Sequence, residues 1–202
     1  NSYAGPTLIK NGGLILDFTQ STSPTNNIIR PNSALTLGGE NAGQGTISRS
    51  TILLNPQAGV TNSQSFSSTL IDKGFTIVQV GSNSTGVGNL ALGALTHNTG
   101  ASASFVPPFT DGGQGTITTT STNLNGILGG WATIGQDDTA TWATNDGTGK
   151  SVGYTAFTDV SGDTPAIVSG ATTNVRLINV TAAATAPTNV SFTAGTTDLN
   201  SI

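Results

Sequence analysis

The chain has 202 residues, only 8% of them charged, with 27 glycines, no cysteine, no methionine and a single glutamate, Glu40. Its 6 Lys+Arg and 10 Asp+Glu give a net charge of −4, which excludes the basic stripe that neutralises nucleic-acid phosphates and is too small to hold a disordered chain open. No apolar run reaches the length of about 18 residues that spans a bilayer as a helix, so no membrane insertion of this segment is expected, and the scarcity of Glu, Lys and Arg removes the usual material of helix surfaces.

What is abundant instead is Thr, Asn and Gly, residues of strands and turns. A hydrophobic content of 35% suits a narrow core one or two side chains wide, the geometry of a solenoid. In chain order, residues 13–18 alternate, with Leu14, Leu16 and Phe18 on one face and Ile15 and Asp17 on the other. Leu35 and Leu37 share a face in 34–37. Further short runs occupy 46–54, 66–71, 75–80, 115–120, 151–157, 175–180 and 189–193, the last with Val190 and Phe192 facing inward. Turn signals separate them: Asn11-Gly12-Gly13, Gly38-Gly39, Gly112-Gly113, Asn145-Asp146-Gly147 and Ser161-Gly162-Asp163. The stretch 86–98 is weakly patterned and reads as a connection. The nearest thing to a helix is Ala182–Ala184, stopped by Pro187. The pentad Gly43-Gln44-Gly45-Thr46-Ile47 recurs as Gly113-Gln114-Gly115-Thr116-Ile117, which predicts a repeat of about 23 residues per turn. The fold class expected is all-β with little or no helix, a β-solenoid; an antiparallel sandwich or barrel is the alternative.

The opening segment Asn1-Ser2-Tyr3-Ala4-Gly5-Pro6-Thr7-Leu8-Ile9-Lys10-Asn11-Gly12-Gly13-Leu14-Ile15-Leu16 resembles the autotransporter-associated β-strand repeat, N-x-Y-x-G-x-T-x-I-x-x-G-x-L-x-L. Asn62-Ser63-Gln64-Ser65-Phe66 is similar to that family's N-S-Q-x-F rung. Asn125-Gly126-Ile127-Leu128-Gly129-Gly130-Trp131-Ala132-Thr133 is similar to its I-L-G-G-W-A-T segment. Trp142-Ala143-Thr144 and Tyr154-Thr155-Ala156-Phe157-Thr158 follow in the expected order. Pro6 departs from the pattern, which has Gly or Thr there. The resemblance implies a right-handed parallel β-helix, exported from a Gram-negative-type bacterium and displayed at or beyond the cell surface, with no particular chemistry attached. Residues 1–202 then form one β-solenoid segment, continuing into or stacking end to end on further rungs at both ends through open strand edges. The absence of cysteine fits passage through a thiol-oxidising periplasm.

Candidate chemistry is sparse. Asp137-Asp138 is the one acid pair suited to a pectinase-like, polysaccharide-active β-helix enzyme. That family's Gly-His-Gly and Arg-x-Lys segments are absent, and adjacent acids on a strand point to opposite faces, so a solvated turn is expected there. The single histidine, His97, cannot form a zinc site of the usual kind without cysteines. Turn calcium would draw on Asp137, Asp138, Asp146, Asp159 or Asp163, but the G-G-x-G-x-D nonapeptide is missing. Gly149-Lys150-Ser151 ends like a phosphate loop, yet Thr144 stands where that motif needs glycine. Asn83, Asn179 and Asn189 head glycosylation sequons. Trp131, Trp142, Tyr3 and Tyr154 are expected in wide corners of the core, with Trp131 inside, the alternative being a glycan-stacking platform. The Thr runs 118–120 and 172–173 are too irregular for an ice-binding surface. No catalytic, metal or cofactor residues are assigned. The function expected is that of a non-enzymatic stalk, adhesin or fibre unit, with a glycan or surface ligand left open.

Overall fold

The computed structural model describes residues 3, 5–39, 49–83, 85–108, 114–136, 139–161, 166–167, 170–178, 191–192 and 199–201. The chain coils. The first turn contributes β1 (Thr7–Ile9) and β2 (Gly12–Asp17), and the second β3 (Ala34–Leu37), β4 (Arg49–Asn55) and β5 (Thr61–Ser65). The third contributes β6 (Ser68–Ile71), β7 (Gly74–Val80) and β8 (Val87–Ala91), and the fourth β9 (Ala94–His97), β10 (Ala101–Val106) and β11 (Gln114–Thr118). Each strand pairs in parallel with its counterpart one turn away. One face stacks β1, β3, β6 and β9, the next β2, β4, β7 and β10, and the third β5, β8 and β11. This is a parallel β-solenoid of about four turns, and no α-helix occurs among the described residues.

The alternation expected from the sequence sets the interior. Leu16, Phe18, Leu35 and Leu37 are fully buried, while Ile15 is 63% exposed. Register then turns isolated alternations into columns. On the second face Leu14, Ile52, Val78 and Phe105 lie above one another, and Leu16, Leu54 and Val80 form a parallel column. On the first face Ile9, Leu37 and Ile71 do the same. Each such side chain contributes about 1.5–3 kcal/mol on full burial, and stacking like on like keeps the narrow interior filled.

Polar residues also occupy interior positions of these four turns, with their bonds made inside the fold. Ser50 and Thr76 stack inside the second face and bond hydroxyl to hydroxyl at 2.9 Å. On the third face Gln64 is buried, accepts from Ile29 N–H at 3.0 Å and donates to Ile29 C=O at 2.8 Å. The first turn has no named strand on that face; its residues 25–27 meet Ser63 through a single parallel bridge, and the Gln64 amide carries the pairing on to Ile29. Asn62 bridges the same loop, donating to Thr25 C=O at 3.2 Å, and Asn27 accepts from Ser65 N–H at 2.9 Å. One turn on, Asn62 stacks on Gly88 and then on Gly115. A Cβ at Gly115 would sit 2.2 Å from Gly88 C=O, so glycine is required where the third face closes onto the second.

The step per turn is 26 or 27 residues in the central turns: Ser50 meets Thr76 at a separation of 26, and Asn89 meets Thr116 at 27. The period of about 23 expected from the repeated pentad is therefore corrected. Gly115–Ile117 stacks on residues 88–90 and, through them, on residues 62–64; the first pentad copy lies outside the described residues.

Uniform parallel stacking stops after the fourth turn. Strand β12 (Ala132–Ile134) still pairs in parallel with β10, placing Ile134 on the Phe105 column. Strands β13 (Thr141–Asn145) and β14 (Ser151–Gly153) then run back and forth antiparallel. Two turns cause this: Gln136 C=O accepts from Thr139 N–H at 3.0 Å where β12 reverses into β13, and the Asn145-Asp146-Gly147 turn reverses β13 into β14. Asp146 carboxylate accepts from Thr148 N–H and hydroxyl at 2.8 and 2.7 Å and from Lys150 N–H at 3.2 Å, and Asn145 Oδ1 accepts from Gly147 and Gly149 N–H. That loop reverses the chain instead of carrying it round the next corner. Parallel pairing returns in β15 (Thr158–Ser161), β16 (Ala166–Ile167), β17 (Gly170–Ile178), β18 (Ser191–Phe192) and β19 (Leu199–Ser201), as β15–β17–β19 and β16–β18.

Candidate functional site

His97 ends the first-face column of Ile9, Leu37 and Ile71. Because β9 is the last strand of that face, the imidazole is exposed. Trp131 stacks on it, with ring centroids 4.9 Å apart and planes 25° apart. Trp131 was expected inside; it is half-buried, packed against the core on one side and on His97 on the other. Leu95, Leu128, Thr120, Ser121 and Thr122 complete a shallow groove of about 340 Å³ around the pair.

Thr120 and Thr122 also border a larger groove of about 870 Å³ at the corner between the third and first faces, with Phe66 and Ser67 at one end and Asn123, Asn145 and Thr148 at the other. It resembles a neutral glycan cleft, being uncharged and rich in hydroxyls and amides. Its amides, however, are spent on the fold. Asn145 donates to Thr119 and Ser121 C=O at 3.3 and 2.8 Å, and Asn123 exchanges bonds with the Asn145 main chain at 2.7 and 2.8 Å. Ser121 hydroxyl caps the open edge of β9, accepting from Leu95 N–H at 2.7 Å. The remaining aromatics are dispersed: Tyr154 packs over Gly126 and edge-on to Phe157, and Tyr3 bonds to Pro6 C=O. Trp142 lies across from Tyr154 at the end of β14, away from Trp131's stack on His97.

Among the described residues the acids do not converge either. Asp137, Asp138 and Asp163 lie outside the described residues. The flanking Gln136 and Thr139 close a tight turn, Thr139 N–H and hydroxyl both donating to Gln136 C=O. Asp159 is engaged by Arg176 at 2.8 Å, and Asp146 by its own loop. Hydrogen bonds from Thr148, the largest influence, hold the Asp146 carboxyl below the usual carboxylate range. Thr19 does the same for Asp17, and Asn98 with Lys73 N–H for Asp72. No group of three or more His, Asp or Glu side chains arranged for a metal occurs among the described residues. Lys150 sits in the β13–β14 loop, between strands, where no phosphate loop forms. Asn83 donates to Pro56 C=O at 3.0 Å; Asn179 and Asn189 lie outside the described residues.

Sequence reasoning missed one feature. Strands β11 and β14 each end a sheet, and a slot of about 450 Å³ lies between them, lined by Gly115, Ile117, Ile134, Thr141, Ser151 and Gly153 among others. Ser151 is 3% exposed and its hydroxyl has no hydrogen-bond partner. Nothing in the sequence marks it, because the slot exists only through the reversal at Asp146.

A parallel β-solenoid with stacked apolar columns, a charge-poor surface and no converged catalytic set among the described residues resembles the β-helical passenger of an autotransporter. The chain is 26% identical over 232 aligned residues to the "Adhesin BmaC autotransporter" of Brucella suis biovar 1 (strain 1330), a match covering 96% of this chain and 6% of that protein. No family model and no solved structure matches.

Proposed function

We propose that this chain is a segment of a secreted or surface-displayed passenger of a Gram-negative bacterium, serving as a non-enzymatic stalk that presents an adhesive surface. The supporting observation is the ladder itself: four turns in which every interior column is apolar or internally bonded, so the chain's polar groups build length instead of a reaction site. The likeness to an adhesin autotransporter along 96% of the chain supports the same reading. Immunogold labelling of intact cells with antibodies to this segment, combined with attachment assays on cells lacking the gene, tests it. Surface label and reduced attachment are expected; an absence of surface label overturns display. The rival reading, a polysaccharide-active enzyme, requires glycan cleavage that Asp137→Asn or Asp138→Asn abolishes, and such cleavage on a panel of acidic and neutral glycans would overturn the non-enzymatic role.

A further inference from the structure

The groove beside the His97–Trp131 stack and the larger groove at the corner between the third and first faces share Thr120 and Thr122, so they form one continuous trough. Their volumes, about 340 and 870 Å³, lie within the range of about 300–1,000 Å³ typical of small-molecule sites. The main chain along this trough is already paired. Thr119 N–H donates to Gly149 C=O at 2.7 Å and Thr120 N–H to Gly93 C=O at 3.0 Å. The Ser121 hydroxyl bonds both Leu95 N–H and Leu95 C=O, at 2.7 and 3.3 Å. A polypeptide strand therefore finds no ladder here to extend. What stays unpaired is a set of side-chain groups. Ser67, Thr120, Thr122 and His97 are exposed, and their side chains make no hydrogen bond among the described residues. The Thr118 hydroxyl and the Trp131 indole N–H, which lies over Gly129, are also unpaired. Both reach solvent, because Ser151 holds the one fully buried, partnerless side-chain polar atom among the described residues outside the exposed class. No Lys, Arg, Asp or Glu lines either groove.

We propose that this trough binds a short neutral saccharide. It names the ligand class of the adhesive surface proposed above, and rests on that reading for its biological use. One sugar ring lays its C–H face against the exposed His97 imidazole and the adjoining Trp131, where the indole N–H can donate to a ring substituent. The next ring sets its hydroxyls among those of Thr118, Thr120 and Thr122. Each threonine hydroxyl both donates and accepts, which matches a polyol whose own hydroxyls do the same in no fixed repeat. Other ligands fit less well. An anionic glycan needs a cation that the lining lacks, and an apolar ligand would bury unpaired hydroxyls. The trough is also preformed. Asn123 and Asn145, whose amides bond to the main chain around it, brace its wall, so little ordering accompanies binding.

The test uses the whole chain at neutral pH with three neutral probes, cellotriose, maltotriose and chitotriose, and two acidic ones, sialyllactose and a heparin hexasaccharide. Binding is followed by titration calorimetry and by the indole N–H signals of the chain's 2 tryptophans in NMR spectra. At least one neutral probe is expected to bind saturably, moving the Trp131 signal and leaving that of Trp142. The double variant Thr120→Val, Thr122→Val keeps the branched shape and removes two unpaired, exposed hydroxyls. It should weaken binding by about tenfold or more with the unfolding midpoint unchanged. His97→Ala should weaken it several-fold. Thr36→Val, on the outward side of β3 and away from the trough, should bind as the native chain does. No saturable binding of a neutral probe, equal binding of the acidic probes, or full binding by the double variant would each overturn the proposal. If no neutral probe binds yet cells lacking the gene still lose attachment, the saccharide is refuted and the adhesive role stands; if attachment is also unchanged, both fall.

Discussion

Replacing Gln64 tests whether buried amides substitute for a missing strand. In Gln64→Leu the volume is kept and the apolar interior extended, but Ile29 N–H and C=O, on a residue only 7% exposed, lose the partners now at 3.0 and 2.8 Å. Each buried orphan costs about 1–3 kcal/mol, and the added apolar burial returns part of that, about 1–2 kcal/mol. The net loss expected is about 2–4 kcal/mol, read from urea unfolding followed by circular dichroism, with hydrogen exchange concentrated at residues 25–29. Gln64→Glu sharpens the test. Its carboxylate still accepts from Ile29 N–H but cannot donate to the carbonyl until protonated. Burial raises its folded-state pKa above the ordinary value of about 4.3. The variant should therefore approach native stability below that pH and lose it as pH rises through the raised value. If Gln64→Leu unfolds within about 0.5 kcal/mol of the native chain and Gln64→Glu shows no pH dependence, the amide is not what holds the first turn.

Phe105→Ala empties a fully buried site on the column between Val78 and Ile134 and should cost about 3–5 kcal/mol in denaturant unfolding, whereas Ile15→Thr, at 63% exposure, should stay within about 0.5 kcal/mol. Gly93 has φ +64° and a Cβ there would lie 2.3 Å from Ser67 C=O, while Gly147, at φ +88°, has open space around it. Gly93→Ala should lower the melting temperature several times more than Gly147→Ala, whose cost is limited to about 1 kcal/mol of backbone strain. Asp72, held low in pKa by Asn98 and Lys73 N–H, stabilises the fold above its unfolded-state pKa near 4. That contribution disappears as pH falls through the depressed folded value, so Asp72→Asn should flatten the acid limb of a melting-temperature profile taken below about pH 4.

The sequence exposed some elements and concealed others for a physical reason. Strands β2, β3 and β7 alternate apolar and polar residues, and their inward faces follow from periodicity alone. The third face does not: its inward positions include Asn62 and Gln64 on β5 and Gly88 on β8, so β5 is legible only through its likeness to the N-S-Q-x-F rung, and β8, with β9 of the first face, falls in the weakly patterned stretch 86–98. Those residues are interior because their bonding is satisfied by a loop one turn away, which no local window contains. Alternation also carries no strand direction. Trp142-Ala143-Thr144 reads as one more rung, and only the pairing of β13 against β12 after the Gln136–Thr139 turn reveals that it runs backwards. The stacking of His97 on Trp131 depends on β9 being the last strand of its face, a property of register.

The ladder keeps its columns aligned while the chain between them varies in length. Asp17 meets Asn55 across 38 residues, whereas Ser50 meets Thr76 across 26 on the same face. The surplus falls in the connections between the strands, while the strands themselves keep their register. A lineage could therefore change the length of such connections without redesigning the interior, and a laboratory could splice foreign segments into them and expect the shaft to fold.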